Sequence, residues 1–146
     1  MDLTSLPTVS DRIYLSDVSG DFSLLENETD IEKRAWVRVR IANEADNIRR
    51  AELLGRRDVK YLEPNTNTTF AETIFDNPRT RAKMETYWTL EDVGNLVMNN
   101  QSLFPITPVR AMPLVDFENI WHVLPIDVAT AIYAAVLYAN RAWVGD

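Results

Sequence analysis

The run Trp36-Val37-Arg38-Val39-Arg40-Ile41 decides the fold class. It alternates strictly, with Val37, Val39 and Ile41 on one face and Trp36, Arg38 and Arg40 on the other. Alternation with β-branched residues on the apolar side predicts a strand with one face in a core and the other toward solvent. Outward from this strand, helix signals dominate. The expectation is an α+β protein, mostly helical, with one short sheet, about four helices and a buried C-terminal helix.

Downstream, Asn43 is placed to cap a helix, with Glu44 and Asp46 in its first turn, where the helix dipole favours anions. Ala45, Ile48 and Ala51 form its expected buried stripe and Gly55 its C′ residue, so the helix spans about Glu44 to Leu54. Val59-Lys60-Tyr61-Leu62 reads as a short strand and Pro64-Asn65-Thr66-Asn67-Thr68 as a loop. Thr69 and Glu72 have capping-box spacing, which predicts a short helix carrying Phe70 and Ile74. Asn77 followed by Pro78 starts a longer helix. Its apolar side is Met84, Tyr87, Trp88, Leu90, Val93 and Val97, with Gly94 a kink point and Asn99-Asn100 the end. Pro105, Pro108 and Pro113 hold the next stretch extended. Asp116 is expected to cap a short helix bearing Phe117, Ile120, Trp121 and Leu124. Pro125 opens the last helix, which reaches about Val144.

That last helix is apolar nearly all round. Its stripe is Val128, Ile132, Ala135, Ala139 and Trp143, and Ala131, Ala135 and Ala139 recur every fourth residue. Tyr133 and Tyr138 add apolar bodies with polar tips, a combination common at interfaces. A helix without a polar face is buried on every side, either in its own domain or against a partner chain.

Upstream, residues 1–32 read as an extended acidic arm and residues 33–146 as a single α+β domain. The arm carries eight acidic groups and one basic group, Arg12; residues 33–60 carry nine basic and four acidic groups; the whole chain stands at -7. Pro7, Gly20 and hydroxyl-rich clusters break any helical period in the arm, and only Ile13 and Leu15 alternate. With so few apolar groups it cannot fold alone. It is expected to dock on the basic surface of Arg38, Arg40, Arg49, Arg50, Arg56 and Arg57, of its own chain or a neighbour. Ile13-Tyr14-Leu15, Phe22 and Leu24-Leu25 would be its anchors.

Composition excludes several function classes. There is no cysteine and one histidine, His122, which removes thiolate chemistry and any site needing two imidazoles from one chain. His122 and Glu118 can share a helix face, but a metal needs more ligands, so neither metal nor cofactor is expected. No Gly-rich phosphate loop or nucleophile elbow is present, and no catalytic residue is assigned. Val128 to Ala139 is too short to span a bilayer, and Met1 to Pro7 lacks the basic and apolar regions of a signal peptide. Trp36 among arginines on a sheet face would suit nucleic acid, by stacking and phosphate contacts. An acidic chain opposes that, and twelve arginines against three lysines fit carboxylate pairing equally well.

The order of these features carries a resemblance. An arginine-bearing strand precedes a helix, a polar middle helix and a Pro-rich connection. The close is Phe117-x-x-Ile120-x-x-x-Leu124-Pro125, then Ile132, Val136, Asn140 and Trp143. Over residues 36–143 this layout resembles small morphogenesis proteins from the head-and-tail gene modules of tailed bacteriophages, both minor virion proteins and tail assembly chaperones. The resemblance implies a non-enzymatic structural protein of the particle, a head, neck or tail component assembled in the host cytoplasm. Its partners would be other virion proteins and copies of itself. A tail assembly chaperone is the first alternative and a nucleic-acid-binding accessory protein the second. The expected contact residues are Trp36, Arg38, Arg40, Arg49, Arg50, Arg56, Arg57, Tyr133, Tyr138 and Trp143.

Overall fold

The computed structural model describes residues 1–54, 57–62, 69–74 and 77–145. The decisive run forms strand β2 (Trp36–Val39), with Val37 and Val39 fully buried and Trp36 and Arg38 half-buried. It is the centre of a three-stranded antiparallel sheet, flanked by β1 (Ile13–Tyr14) and β5 (Leu90–Gly94). Ile13 pairs with Val37 on one side, and Val93 pairs with Val37 on the other. The register slips between Arg38, opposite Asp92, and Val39, opposite Leu90, so Glu91 is the extra residue of a bulge.

The chain is α+β and mostly helical. Its helices are α1 (Leu15–Val18), α2 (Gly20–Glu26), α3 (Glu44–Leu54), α4 (Pro78–Thr89), α5 (Leu114–Trp121) and α6 (Ile126–Ala139). Besides the main sheet, two hairpins stand among the described residues: β3 (Arg57–Leu62) with β4 (Thr69–Ile74), and β6 (Val97–Met98) with β7 (Gln101–Ser102). Among the described residues three small sheets thus stand where one was expected.

α6 packs against α1, α2, α4 and β2. Ala131, Ile132, Ala135 and Val136 are fully buried there, whereas Ile126, Thr130 and Tyr138 lie exposed. The helix is therefore buried along one face, not all round. It stops at Ala139, and a 3-10 turn over Arg141–Trp143 brings the Trp143 ring back inside. Phe117 stacks between Phe104 and Trp121 at centroid distances of 5.8 and 5.7 Å, with Tyr87 tilted against it at 5.2 Å. Phe117 and Trp121 belong to α5, which starts at Leu114, so Asp116 lies inside its first turn instead of capping it.

The helix predicted from Asn77 to Asn99 ends at Thr89. Its start is as expected, with the Asn77 side chain accepting from the Arg79 N–H at 2.9 Å. Beyond Thr89 the chain turns into β5, because the open edge of β2 offers pairing that a solvated helix extension lacks. Gly94 is a strand residue opposite Trp36, and the indole lies where a Cβ at Gly94 would stand. Asn99 and Asn100 both have positive φ, 54° and 62°, and make the two-residue turn of the β6–β7 hairpin. Thr69–Ile74 is likewise a strand and not a capped helix. The β-branched Thr69, Thr73 and Ile74 and pairing with Val59–Leu62 favour the strand. Gly55, Arg56 and the loop at 64–68 lie outside the described residues.

The N-terminal arm is folded onto its own chain and is not extended throughout. Residues 8–14 run antiparallel along β2: Ile41 N–H donates to the Thr8 carbonyl and Ser10 N–H to the Val39 carbonyl, while the Ser10 hydroxyl accepts from Val39 N–H. Ser19 then caps α2, accepting from Phe22 N–H. Ile13, Leu15 and Phe22 are buried in the main core, and Leu24 and Leu25 are exposed.

Candidate functional site

α3 inverts its expected face. Ala45, Ile48 and Ala51 are exposed, Ile48 at 55%, while Asp46 is fully buried and Arg50 nearly so. Asn43 caps the helix reciprocally: its side chain accepts from Asp46 N–H at 3.1 Å, and Asp46 accepts from Asn43 N–H at 2.9 Å. The same Asp46 carboxylate takes the guanidinium fork of Arg40 at 2.7 and 2.8 Å, and Arg40 also donates to the Trp88 carbonyl. Burial pushes the Asp46 carboxyl up. The Arg40 fork, the Asn43 N–H and the charges of Arg40 and Arg49 outweigh it and hold the group below the usual carboxylate range.

One turn on, Arg50 donates to Glu85 Oε1 at 2.8 Å and to the Trp143 carbonyl at 3.1 Å. Glu85 is fully buried in α4 and also accepts from the Tyr133 hydroxyl at 2.7 Å. Burial and this carboxylate push the Tyr133 hydroxyl up from its ordinary value. Thr86 and Thr89, equally buried, satisfy their hydroxyls on the carbonyls of Ala82 and Glu85. Trp143 closes the network, its ring 5.2 Å from the Arg50 guanidinium and its indole N–H donating to Asn47. Asn140 ties the end of α6 to the Arg40 carbonyl and Ala42 N–H.

The ten expected contact residues thus divide. Arg40, Arg50, Tyr133 and Trp143 come together, with Arg49 at the rim, in one interior network. Trp36, Arg38 and Tyr138 stay apart from it. Arg38 donates to the Ser10 carbonyl, and Trp36 carries the Arg12 guanidinium over its ring at 4.2 Å. Tyr138 is exposed. Arg56 and the side chain of Arg57 lie outside the described residues. The arm meets this basic block through backbone bonds and apolar anchors. Among the described residues no arm carboxylate lies in ion-pair range of Arg38, Arg40 or Arg49. Sequence reasoning missed Asp46 and Glu85 as the buried counter-charges, since an acidic residue in a polar helix carries no hydropathy signal.

Two of the surface hollows bear on function. Where α1 meets the end of α6, Val18, Ala134, Leu137, Tyr138 and Val144 line one of about 370 Å³, rimmed by Asp17 and Arg141. A second, of about 410 Å³, lies between the starts of α4 and α6 and the end of α5, with Arg79, Lys83 and His122 around it. Beside it Lys83 donates to Glu118 at 2.5 Å and contacts His122 Nε2 at 3.5 Å. The Lys83 bond holds the Glu118 carboxyl below its ordinary value. Among the described residues no helix is long and apolar enough to cross a membrane, and no three His, Asp or Glu side chains are grouped to hold a metal ion. Compared with known proteins, the chain matches no family model, no curated protein and no solved structure.

Proposed function

We propose that this chain is a non-enzymatic structural protein of a tailed bacteriophage particle, a head, neck or tail component that works through contacts with other virion proteins and copies of itself. The observation that supports the reading is the apolar hollow at the α1–α6 junction. Tyr138 and Val144 are more than half exposed there, at 54% and 58%, beside Val18 and Leu137. Exposed apolar residues scattered singly are ordinary, whereas a contiguous set with a charged rim is the anatomy of a protein contact. The linear order that resembles phage morphogenesis proteins supplies the particle as the setting. Conversely, nucleic acid loses support, because the strand-face arginines of that alternative, Arg38 and Arg40, are engaged with the Ser10 carbonyl and Asp46, and Arg50 with Glu85.

Mass spectrometry of purified particles tests the proposal. The expected result is the chain present in fixed stoichiometry, with particle yield falling for Tyr138→Glu. Absence from particles, with capture on tail proteins in infected-cell extracts, would transfer the assignment to a tail assembly chaperone. Absence from both would overturn a role in assembly.

A further inference from the structure

The 410 Å³ hollow between α4, α5 and α6 falls in the size range of small-ligand sites. Its rim is cationic and hydroxylated, formed by Arg79, Lys83, His122, Thr80 and Thr130. Its wall is apolar, formed by Trp121, Leu124 and Ile126. Among the described residues no carboxylate lines it, in a chain of net charge -7. The Arg79 guanidinium has no hydrogen-bond or ion-pair partner among the described residues. An ammonium has three N–H donors; Lys83 uses one on Glu118 and lies 3.5 Å from His122 Nε2. α6 begins at this wall with Pro125 as its N-cap, which supplies no side-chain cap, so the positive end of the helix dipole adds to the same field.

Charge and shape then select the ligand. Glu118 neutralises Lys83, which leaves Arg79, among the described residues lining the cleft, as the uncompensated full charge, a match for a monoanion. The apolar wall asks for a hydrocarbon group next to that anion. We propose that the cleft binds a carboxylate carried on an apolar group, the carboxylate between Arg79 and Lys83 and the apolar group against Trp121, Leu124 and Ile126. Such a group occurs either on a free small acid or at the C-terminal end of a polypeptide.

Amide NMR titration of the full chain tests this with N-acetyl-leucine, its amide, inorganic phosphate, and a pentapeptide ending in leucine with a free or amidated terminus. The free acid should shift amides at 79–83 and 121–130. Removing the carboxylate, or making Arg79→Gln, should weaken binding about tenfold or more, the loss of a charge-assisted hydrogen bond. Thr130→Glu, which places an anion at the rim, should abolish binding. Arg12 lies over the Trp36 ring and does not line the cleft, so Arg12→Gln should leave it unchanged. Tighter binding of the free-ended pentapeptide than of N-acetyl-leucine would identify a chain end as the ligand, and equal binding a free acid. The proposal is overturned if acid and amide bind alike, if the shifts map elsewhere, if phosphate binds more tightly than the acid, or if nothing binds.

Discussion

α3 and α6 face the same interior and bury opposite chemistry. α6 presents Ala131, Ile132, Ala135 and Val136, and its docking rests on excluded water and close packing. α3 presents Asp46 and Arg50 and leaves Ile48 outside. A buried unpaired charge would cost several kcal/mol, so this face is tolerable only because Arg40 and Glu85 stand opposite with matching geometry. The lesson is that a helix turns inward whichever face its neighbours can satisfy. Apolar packing accepts any partner of suitable shape, whereas the charged face depends on particular groups one by one.

The contrast can be broken from either side. Ala135→Glu puts an unpaired carboxylate into the α6 face and should abolish the cooperative unfolding transition, since several kcal/mol is most of a domain's stability. Glu85→Ala removes the buried carboxylate that Arg50 and Tyr133 share and should cost about 3–5 kcal/mol in denaturant unfolding. Phe22→Ala, which removes an anchor of the arm, should cost about 3 kcal/mol. Hydrogen exchange should then show the amides of residues 8–26 losing protection while α4 keeps it.

Acid sharpens the comparison. The Asp46 carboxyl is lower in the folded chain than its ordinary 3.8, so its contribution is full above that value and disappears as pH falls through the folded one. Asp46→Asn should therefore flatten the acid limb of the stability curve relative to wild type, and a parallel limb in the variant would contradict the assignment. The smallest effect belongs to the apolar residue that looks most important on α3. Ile48→Ala should change stability by less than about 0.5 kcal/mol, measured in the same unfolding assay.

What could be read from the chain follows the same divide. β2, the start of α4 at Asn77, the Asn43 cap and, in α6, Ile132 and Ala135 of the expected stripe were legible because each rests on local period or capping chemistry. β5 was not, because Leu90–Gly94 becomes a strand only by pairing with β2, a partner some fifty residues earlier. The arm's second helix was hidden by Gly20, which sits at the first helical position, where a glycine interrupts nothing behind it. At the candidate sites the arginines stood out as a group, but their placement did not. Arg40 and Arg50 point inward because Asp46 and Glu85 are there to receive them, and pairings across 6 and 35 residues leave no periodic trace. Arg79 and Lys83 escaped notice because cations on a helix surface are ordinary until three helices bring an apolar wall beside them.

Docking of α3 by paired charges is tested by a double-mutant cycle on Arg50→Met and Glu85→Met, read by denaturant unfolding. Each single variant removes one half of the buried Arg50–Glu85 pair and leaves the other half in place, Glu85 still with Tyr133 and with Arg81 at 3.9 Å, whereas the double variant removes both halves. The double variant should be more stable than the sum of the two single losses, by a coupling of about 2–3 kcal/mol. Additive losses, with no coupling, would contradict it.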